Sequence, residues 1–155
     1  VKIRPATLDD WNTVANFIEA MNHERTLSGG VNFTRMHLEV VHAAIVGDAG
    51  GVFIAYDGER PVGFTAMVSF PVMPPGYVEG VGTYVIHRYR RTKVAHELGV
   101  ACREFHRERG GRAIYGTVDV GNEASVARCM AEGAEVVGLV LRYSIDAHPA
   151  EGVAA

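Results

Sequence analysis

The sequence predicts a mixed α/β fold in which a meander of antiparallel strands leads into β-α-β units. Three observations carry this. Helix-like and strand-like periodicities alternate in the order β-α-α-β-β-β-α-β-α-β along the 155 residues. Two apolar runs, 52–56 and 61–70, are joined by Asp57-Gly58, a hairpin turn signal. The longest helical pattern, 90–109, lies between two strand-like runs, as a crossover does. Hairpins before that crossover exclude a doubly wound parallel sheet.

Taken in order, residues 1–4 form a short edge strand that Pro5 ends. Thr7 stands three residues before Asp10, a capping-box-like start. Trp11, Val14, Ile18 and Met21 follow at helical spacing, which predicts a helix over 8–22. Residues 23–32 are polar and contain Ser28-Gly29-Gly30, so they read as a loop. Thr34 opens a second helix with Leu38, Val41 and Ile45 on one face, stopped by 47–51. After the hairpin, 71–76 is a proline-rich loop and 77–86 a third sheet strand, in which Gly80 and Gly82 suggest a bulge or a close backbone approach. Val94, Leu98, Ala101 and Phe105 stripe the helix 90–109, and Gly110-Gly111 stops it. A strand over 113–120, a helix over 123–132 capped by Asn122, and a last strand over 136–145 complete the domain. One domain over 1–146 is expected, with a frayed tail over 147–155.

Composition narrows function. Apolar residues make up 48%, enough for a sizeable core. The net charge is −3 with both signs interspersed, so the basic footprint of a nucleic-acid binder is missing. No run of apolar residues reaches membrane-spanning length, and no signal-peptide stretch follows Val1-Lys2-Ile3-Arg4-Pro5. Cys102 and Cys129 make no disulfide framework and lack CxxC spacing, which points to a reducing, cytoplasmic setting. The seven histidines form no HxxxH or HxH pair, so no metal site is expected.

The informative junction is the strand 77–86 followed by His87-Arg88-Tyr89-Arg90-Arg91-Thr92-Lys93-Val94-Ala95. A strand ends, a basic turn follows and a long helix starts. The first N–H groups of a helix lack internal acceptors and carry partial positive charge, so such an end binds phosphate. Arg90, Arg91 and Lys93 add formal charge there, and the bland alternative is a solvated basic turn.

This segment resembles the strand-turn-helix motif of the GNAT superfamily of acyl-CoA-dependent N-acetyltransferases, whose core is Arg/Gln-x-x-Gly-x-Gly/Ala. Arg90 fits its first position and Ala95 its last. Asn122-Glu123-Ala124-Ser125 and the closing Gly133-Ala134 resemble the family's second signature, and the resemblance spans about residues 2–145. It implies a GNAT-like, mostly antiparallel sheet of six to seven strands flanked by about four helices. It implies acetyl-CoA as co-substrate, no metal, and a primary amine acceptor, either a small molecule or an exposed peptide amine. By it, Thr83, Tyr84 and Val85 pair with the pantetheine arm. Arg90, Arg91, Thr92, Lys93, Val94 and Ala95 hold the diphosphate, and Asn122 completes the cofactor set. A homodimer is implied by analogy alone. No nucleic acid or membrane partner is expected.

Three positions depart from the family pattern. Lys93 replaces the middle Gly, Cys129 the Tyr that protonates the leaving thiolate, and Ala134 a Phe. Cys129 is therefore either the proton donor or a small core cysteine. Glu79, the only carboxylate on the strand 77–86, is the candidate base, and alternation would set it on one face with Val81, Thr83 and Val85. Thr117 cannot act as a base, and Asp119 is a second candidate. His23, Glu24 and Arg25, in the loop after the first helix, are the candidate substrate-binding residues. His37, His42, His96 and His106 are expected to face water. Trp11, Phe17, Phe53, Phe64 and Phe105 are expected in the core. The alternative reading is a catalytically degenerate GNAT-fold protein that binds acyl-CoA or a protein partner.

Overall fold

The computed structural model describes residues 1–47, 50–69, 74–119 and 121–138. The chain divides into two compact units, Val1–Gly116 and Thr117–Ala155. The first holds β1 (Lys2–Pro5), α1 (Trp11–Leu27), α2 (Thr34–Gly47), β2 (Gly50–Asp57), β3 (Arg60–Val68), β4 (Tyr77–Val85), α3 (Val94–Glu108) and β5 (Ala113–Gly116). The second holds α4 (Glu123–Ala131). The five strands lie in sequence order in one sheet, antiparallel except for the parallel β4–β5 pair. The mixed sheet, the hairpin and the crossover helix match the expected class.

Each sheet face buries its own core. On one, α1 and α2 set Val14, Phe17, Ile18, Val41 and Ala44 against Val52, Ile54, Phe64, Ala66 and Val68. On the other, α3 sets Val94, Leu98 and Cys102 against Phe53, Ala55, Val62 and Val85. Burial of each large apolar side chain stabilises the fold by about 1.5–3 kcal/mol. Phe17 stacks on Phe64 with ring centroids 5.8 Å apart. The start of α1 is fastened as the Thr7–Asp10 spacing predicts: Thr7 donates its N–H (2.9 Å) and its hydroxyl (3.0 Å) to the Asp10 carboxylate.

Several expectations are corrected. α1 runs on to Leu27, so His23, Glu24 and Arg25 lie on a helix and not in a loop. The polar stretch misled because it faces outward. Ser28 closes it by donating to the Arg25 carbonyl at 2.9 Å, and Gly29 leaves the helix at φ 84°. α3 starts at Val94 and not at Arg90, because Arg90 is extended (φ −64°, ψ 149°) and Arg91 is left-handed (φ 68°). β5 stops at Gly116 instead of reaching 120. The described residues contain five strands against the six to seven expected. Residues 136–138 form no strand, and the remainder of the last predicted strand, like the predicted tail, lies outside the described residues.

His37 and His106 are buried and do not face water. His37 Nδ1 lies 3.1 Å from Asn22 Nδ2, a donor, so the ring accepts there. His106 Nε2 lies 3.0 Å from the Met67 carbonyl and 3.3 Å from the Gly51 N–H. Burial lowers both imidazole pKa values.

Candidate active site

β4 is bent by a bulge. Ala66 faces Gly82 but Met67 faces Gly80, so Val81 is the extra residue that the glycines foreshadowed. The bulge changes which residues share a face. Tyr84 and Gly82 are registered with Phe64 and Ala66, and beyond the bulge Glu79 is registered with Val68. Glu79 is therefore on the α1–α2 face, opposite Thr83 and Val85 and not beside them as strict alternation would have it. It is exposed.

The β4–β5 register ends at Gly80–Gly116, while β4 continues to Val85. Ile86 donates its N–H to the Val62 carbonyl at 3.0 Å. In an antiparallel ladder the polar groups of alternate residues point to the same edge. Tyr84 and Gly82 thus bond toward β3, and the backbone groups of Thr83 and Val85 point to the edge that β5 has left. The Thr83 hydroxyl is 2.8 Å from Thr65 Oγ1, on the α3 face.

The turn after β4 is held at both ends. Tyr89 donates to Asp57 on the β2–β3 hairpin and receives Arg88 Nη2 at 2.7 Å. Arg90 Nε donates to the Val85 carbonyl at 2.9 Å, and its Nη2 reaches both Glu24 oxygens at 2.6 and 2.7 Å. The Arg90 guanidinium also lies over the Tyr84 ring, 5.3 Å from its centroid, and the Tyr84 hydroxyl donates to Glu24 Oε1 at 3.1 Å. Burial, then the bond to Glu24, raises the Tyr84 pKa. Glu24 and Arg90 are 66 residues apart in sequence.

Past Arg90 the left-handed Arg91 turns the chain into α3. Arg91 and Lys93 are exposed and make no ion pair among the described residues. Lys93 has helical geometry (φ −75°, ψ −6°), so a side chain at the family's Gly position creates no backbone strain. Val94 N–H donates to the Thr92 hydroxyl oxygen over a long 3.3 Å, and Ala95 is small and half-buried. These groups suit an anionic diphosphate: N–H donors at a helix start, with two cations beside them.

Other candidates have local duties. Arg25 stacks over Phe33 at 5.2 Å, beneath Gly30, whose N–H bonds the Arg25 carbonyl. His23 is exposed. In the second unit, the Asn122 side chain caps α4 by accepting from Ser125 N–H at 3.2 Å. Cys129 is half-buried, and Arg128 Nη2 donates toward its sulfur at 3.7 Å. Thr117 and Asp119 are outside any strand. Among the described residues no cluster of His, Cys, Asp and Glu could hold a metal, and no helix is long and apolar enough to cross a membrane.

The model of the acetyltransferase (GNAT) family matches residues 17–129, which take in the β4–α3 junction, Asn122 and Cys129. The chain belongs to the GNAT acetyltransferase family. No curated protein matches it. Among solved structures, AAC(6')-Iy in complex with the bisubstrate analog CoA-S-monomethyl-acetylneamine is 20% identical, with 92% of this chain and 96% of that chain covered and a TM-score of 0.71. Aminoglycoside 6'-N-acetyltransferase AAC(6')-IG from Acinetobacter haemolyticus is 16% identical, with 96% and 100% covered and a TM-score of 0.67. A mutant of the BH1408 protein from Bacillus halodurans is 19% identical, with 94% and 99% covered and a TM-score of 0.71. At these identities the likeness shows the GNAT fold.

Sequence reasoning missed the Glu24–Arg90–Tyr84 cluster of this GNAT chain. Each residue was a separate candidate, but no local signal joins residues this far apart. Arg90 was expected at the diphosphate, yet its guanidinium turns back to β4 and α1. The one available hint was a basic residue before the helix start, where the helix dipole gives a cation no support.

Proposed function

We propose that the protein transfers an acetyl group from acetyl-CoA to a primary amine, a small molecule or an exposed peptide amine, by direct attack. The supporting observation is the juxtaposition on one side of β4: a strand edge at Thr83 and Val85 that β5 has left, with the Val85 carbonyl taken by Arg90 Nε, followed at once by a turn carrying Arg91 and Lys93 into the N-terminus of α3. The edge suits the amide groups of pantetheine, which pair like an added strand. The helix start suits the diphosphate. The amine lone pair forms the C–N bond, the carbonyl electrons move onto oxygen beside a backbone N–H of the β4 edge, and collapse breaks the C–S bond. One proton leaves the amine and one reaches the thiolate. Glu79 through water remains the candidate base and Cys129 the candidate donor.

The test is thiol release from acetyl-CoA with neamine, spermidine and a lysine-containing peptide, beside calorimetric binding of acetyl-CoA. Charge reversal by Lys93→Glu together with Arg91→Glu is expected to weaken acetyl-CoA binding about tenfold or more, since each charge-assisted contact contributes about 1.5 kcal/mol or more. Unchanged affinity would remove the diphosphate site. A second reading, a binding protein without turnover, is favoured by Cys129 at the family's Tyr position. Tight acetyl-CoA binding without thiol release for any amine would select it.

A further inference from the structure

We infer that Glu24 on α1 is a positioning residue for the cofactor: through Arg90 it holds the turn between β4 and α3 in the shape that presents the helix start to the diphosphate. This rests on the diphosphate site of the reading above. It gives Glu24 a part in cofactor binding in place of the substrate-binding role expected from the sequence.

The turn is strained just before the helix. Among the described residues Arg91, at φ 68°, is the one residue other than glycine with a positive φ. That conformation is unfavourable for an L side chain and persists only where the surroundings impose it. Here it is held from both sides. Ahead of it Arg90 is extended (φ −64°, ψ 149°), and its Nε donates to the Val85 carbonyl at 2.9 Å. Behind it the Thr92 hydroxyl donates to the Tyr89 carbonyl at 2.6 Å. The reversal at Arg91 separates the three cations. Arg90 turns back to β4 and α1, while Arg91 and Lys93 stay exposed beside the start of α3.

Glu24 is the outer anchor of this arrangement, and α1 brings it there. Phe17, Met21 and Glu24 stand at i, i+4 and i+7, on one stripe of the helix. The Phe17 ring lies 5.9 Å from that of Tyr84, and Met21 Sδ sits over Gly82, 2.5 Å from where a Cβ would stand. The stripe thus follows β4 and sets Glu24 at its far end. There Arg90 Nη2 meets both Glu24 oxygens at 2.6 and 2.7 Å, and the Tyr84 hydroxyl donates to Oε1 at 3.1 Å. The guanidinium is fixed between a strand carbonyl and a helix carboxylate, a task that suits a planar fork of donors. Arg90 already matches the Glu24 charge, which leaves little to draw an acceptor ammonium. Without Glu24 the turn samples other shapes, and ordering it becomes a cost of binding the diphosphate.

The test is calorimetric binding of CoA, beside steady-state kinetics, in wild type, Glu24→Gln, Arg90→Met and the double variant. Charge alone predicts that Glu24→Gln tightens CoA, since an anion leaves the neighbourhood of a diphosphate. Positioning predicts the reverse: the Kd of CoA and the KM of acetyl-CoA rise about three- to tenfold, while kcat and the amine KM stay within about twofold. The rise is expected with acetyl-CoA and not with S-acetylpantetheine, which has the thioester but no diphosphate. In the Arg90→Met background, Glu24→Gln is expected to weaken CoA no further, because it acts through Arg90. Tighter or unchanged CoA binding in Glu24→Gln would overturn the inference. So would additive losses in the double variant, or a rise confined to the amine KM, which would return Glu24 to the acceptor. Where no amine releases thiol, the CoA titrations decide alone. If Glu24→Gln does not fold, Tyr84→Phe, which removes one bond to the same carboxylate, decides by the same titration. Wild type that fails to bind CoA would instead sink the diphosphate site itself and this inference with it.

Discussion

Asp10 is buried at the start of α1, yet it is charged and well supplied. Arg4 brings both terminal nitrogens to 2.7 Å, Tyr56 donates at 2.9 Å and Thr7 donates twice. The Arg4 bond, the largest influence, holds its carboxyl well below the usual carboxylate range against the opposing effect of burial. A carboxylate with a depressed folded pKa adds stability that is present above its unfolded value, near 4, and is lost as pH falls through the folded value. Asp10→Asn is therefore expected to cost about 2 kcal/mol at pH 7, a figure discounted because Arg4 is partly solvated. The gap in thermal midpoint between the two proteins should narrow as pH is lowered from 5 toward 2. A constant gap across that range would remove the charge from the account. Half of this cluster was legible: Thr7 and Asp10 stand at capping spacing. Arg4 and Tyr56 were not, because the β1–β2 register brings them there.

At the scale of elements, the bulge in β4 has the widest consequences. It moves Glu79 to the α1–α2 face, and it adds bend and twist to the strand at the point where β5 pairing ends. Gly82, next to it, is packed tightly: a Cβ there would lie 2.5 Å from Met21 Sδ and 2.8 Å from its Cε. Gly82→Ala is expected to destabilise by about 1–3 kcal/mol through overpacking. Because the obstacle is a flexible side chain, Met21→Ala combined with Gly82→Ala should lose less than the two single losses added. Urea midpoints of the four proteins measure that coupling, and strict additivity would mean that the two side chains do not meet. The glycines announced a bulge. The shift in face needed the register, since sequence alternation assumes an unbroken strand.

For the molecule as a whole, the two cores on either side of one sheet carry the fold, and Cys102 within the α3 core is inert. Burial pushes its thiol up to about 12, and its Sγ donates to the Gly51 carbonyl at 3.1 Å. Cofactor binding should couple to this stability. At one hundred times its Kd, acetyl-CoA stabilises a folded chain by about 2.7 kcal/mol, which for this length raises Tm by roughly 5–10 °C. Differential scanning fluorimetry with acetyl-CoA, CoA and ATP reads it directly. A shift with ATP equal to that with acetyl-CoA would point to nucleotide recognition without thioester selectivity.

Local chemistry in the chain determined the element order, the Asp57-Gly58 hairpin, the strand-to-helix junction at 77–95 and the chain's likeness to an acetyltransferase, because periodicity, turn residues and motif spacing act over a few residues. Tertiary structure alone decided where Arg90 points, that Glu24 sits on a helix opposite it, that Glu79 changes face, and that His37 and His106 are buried. Those outcomes depend on strand register and on helices packed from distant parts of the chain. Contacts of that range leave no periodic trace in a single sequence.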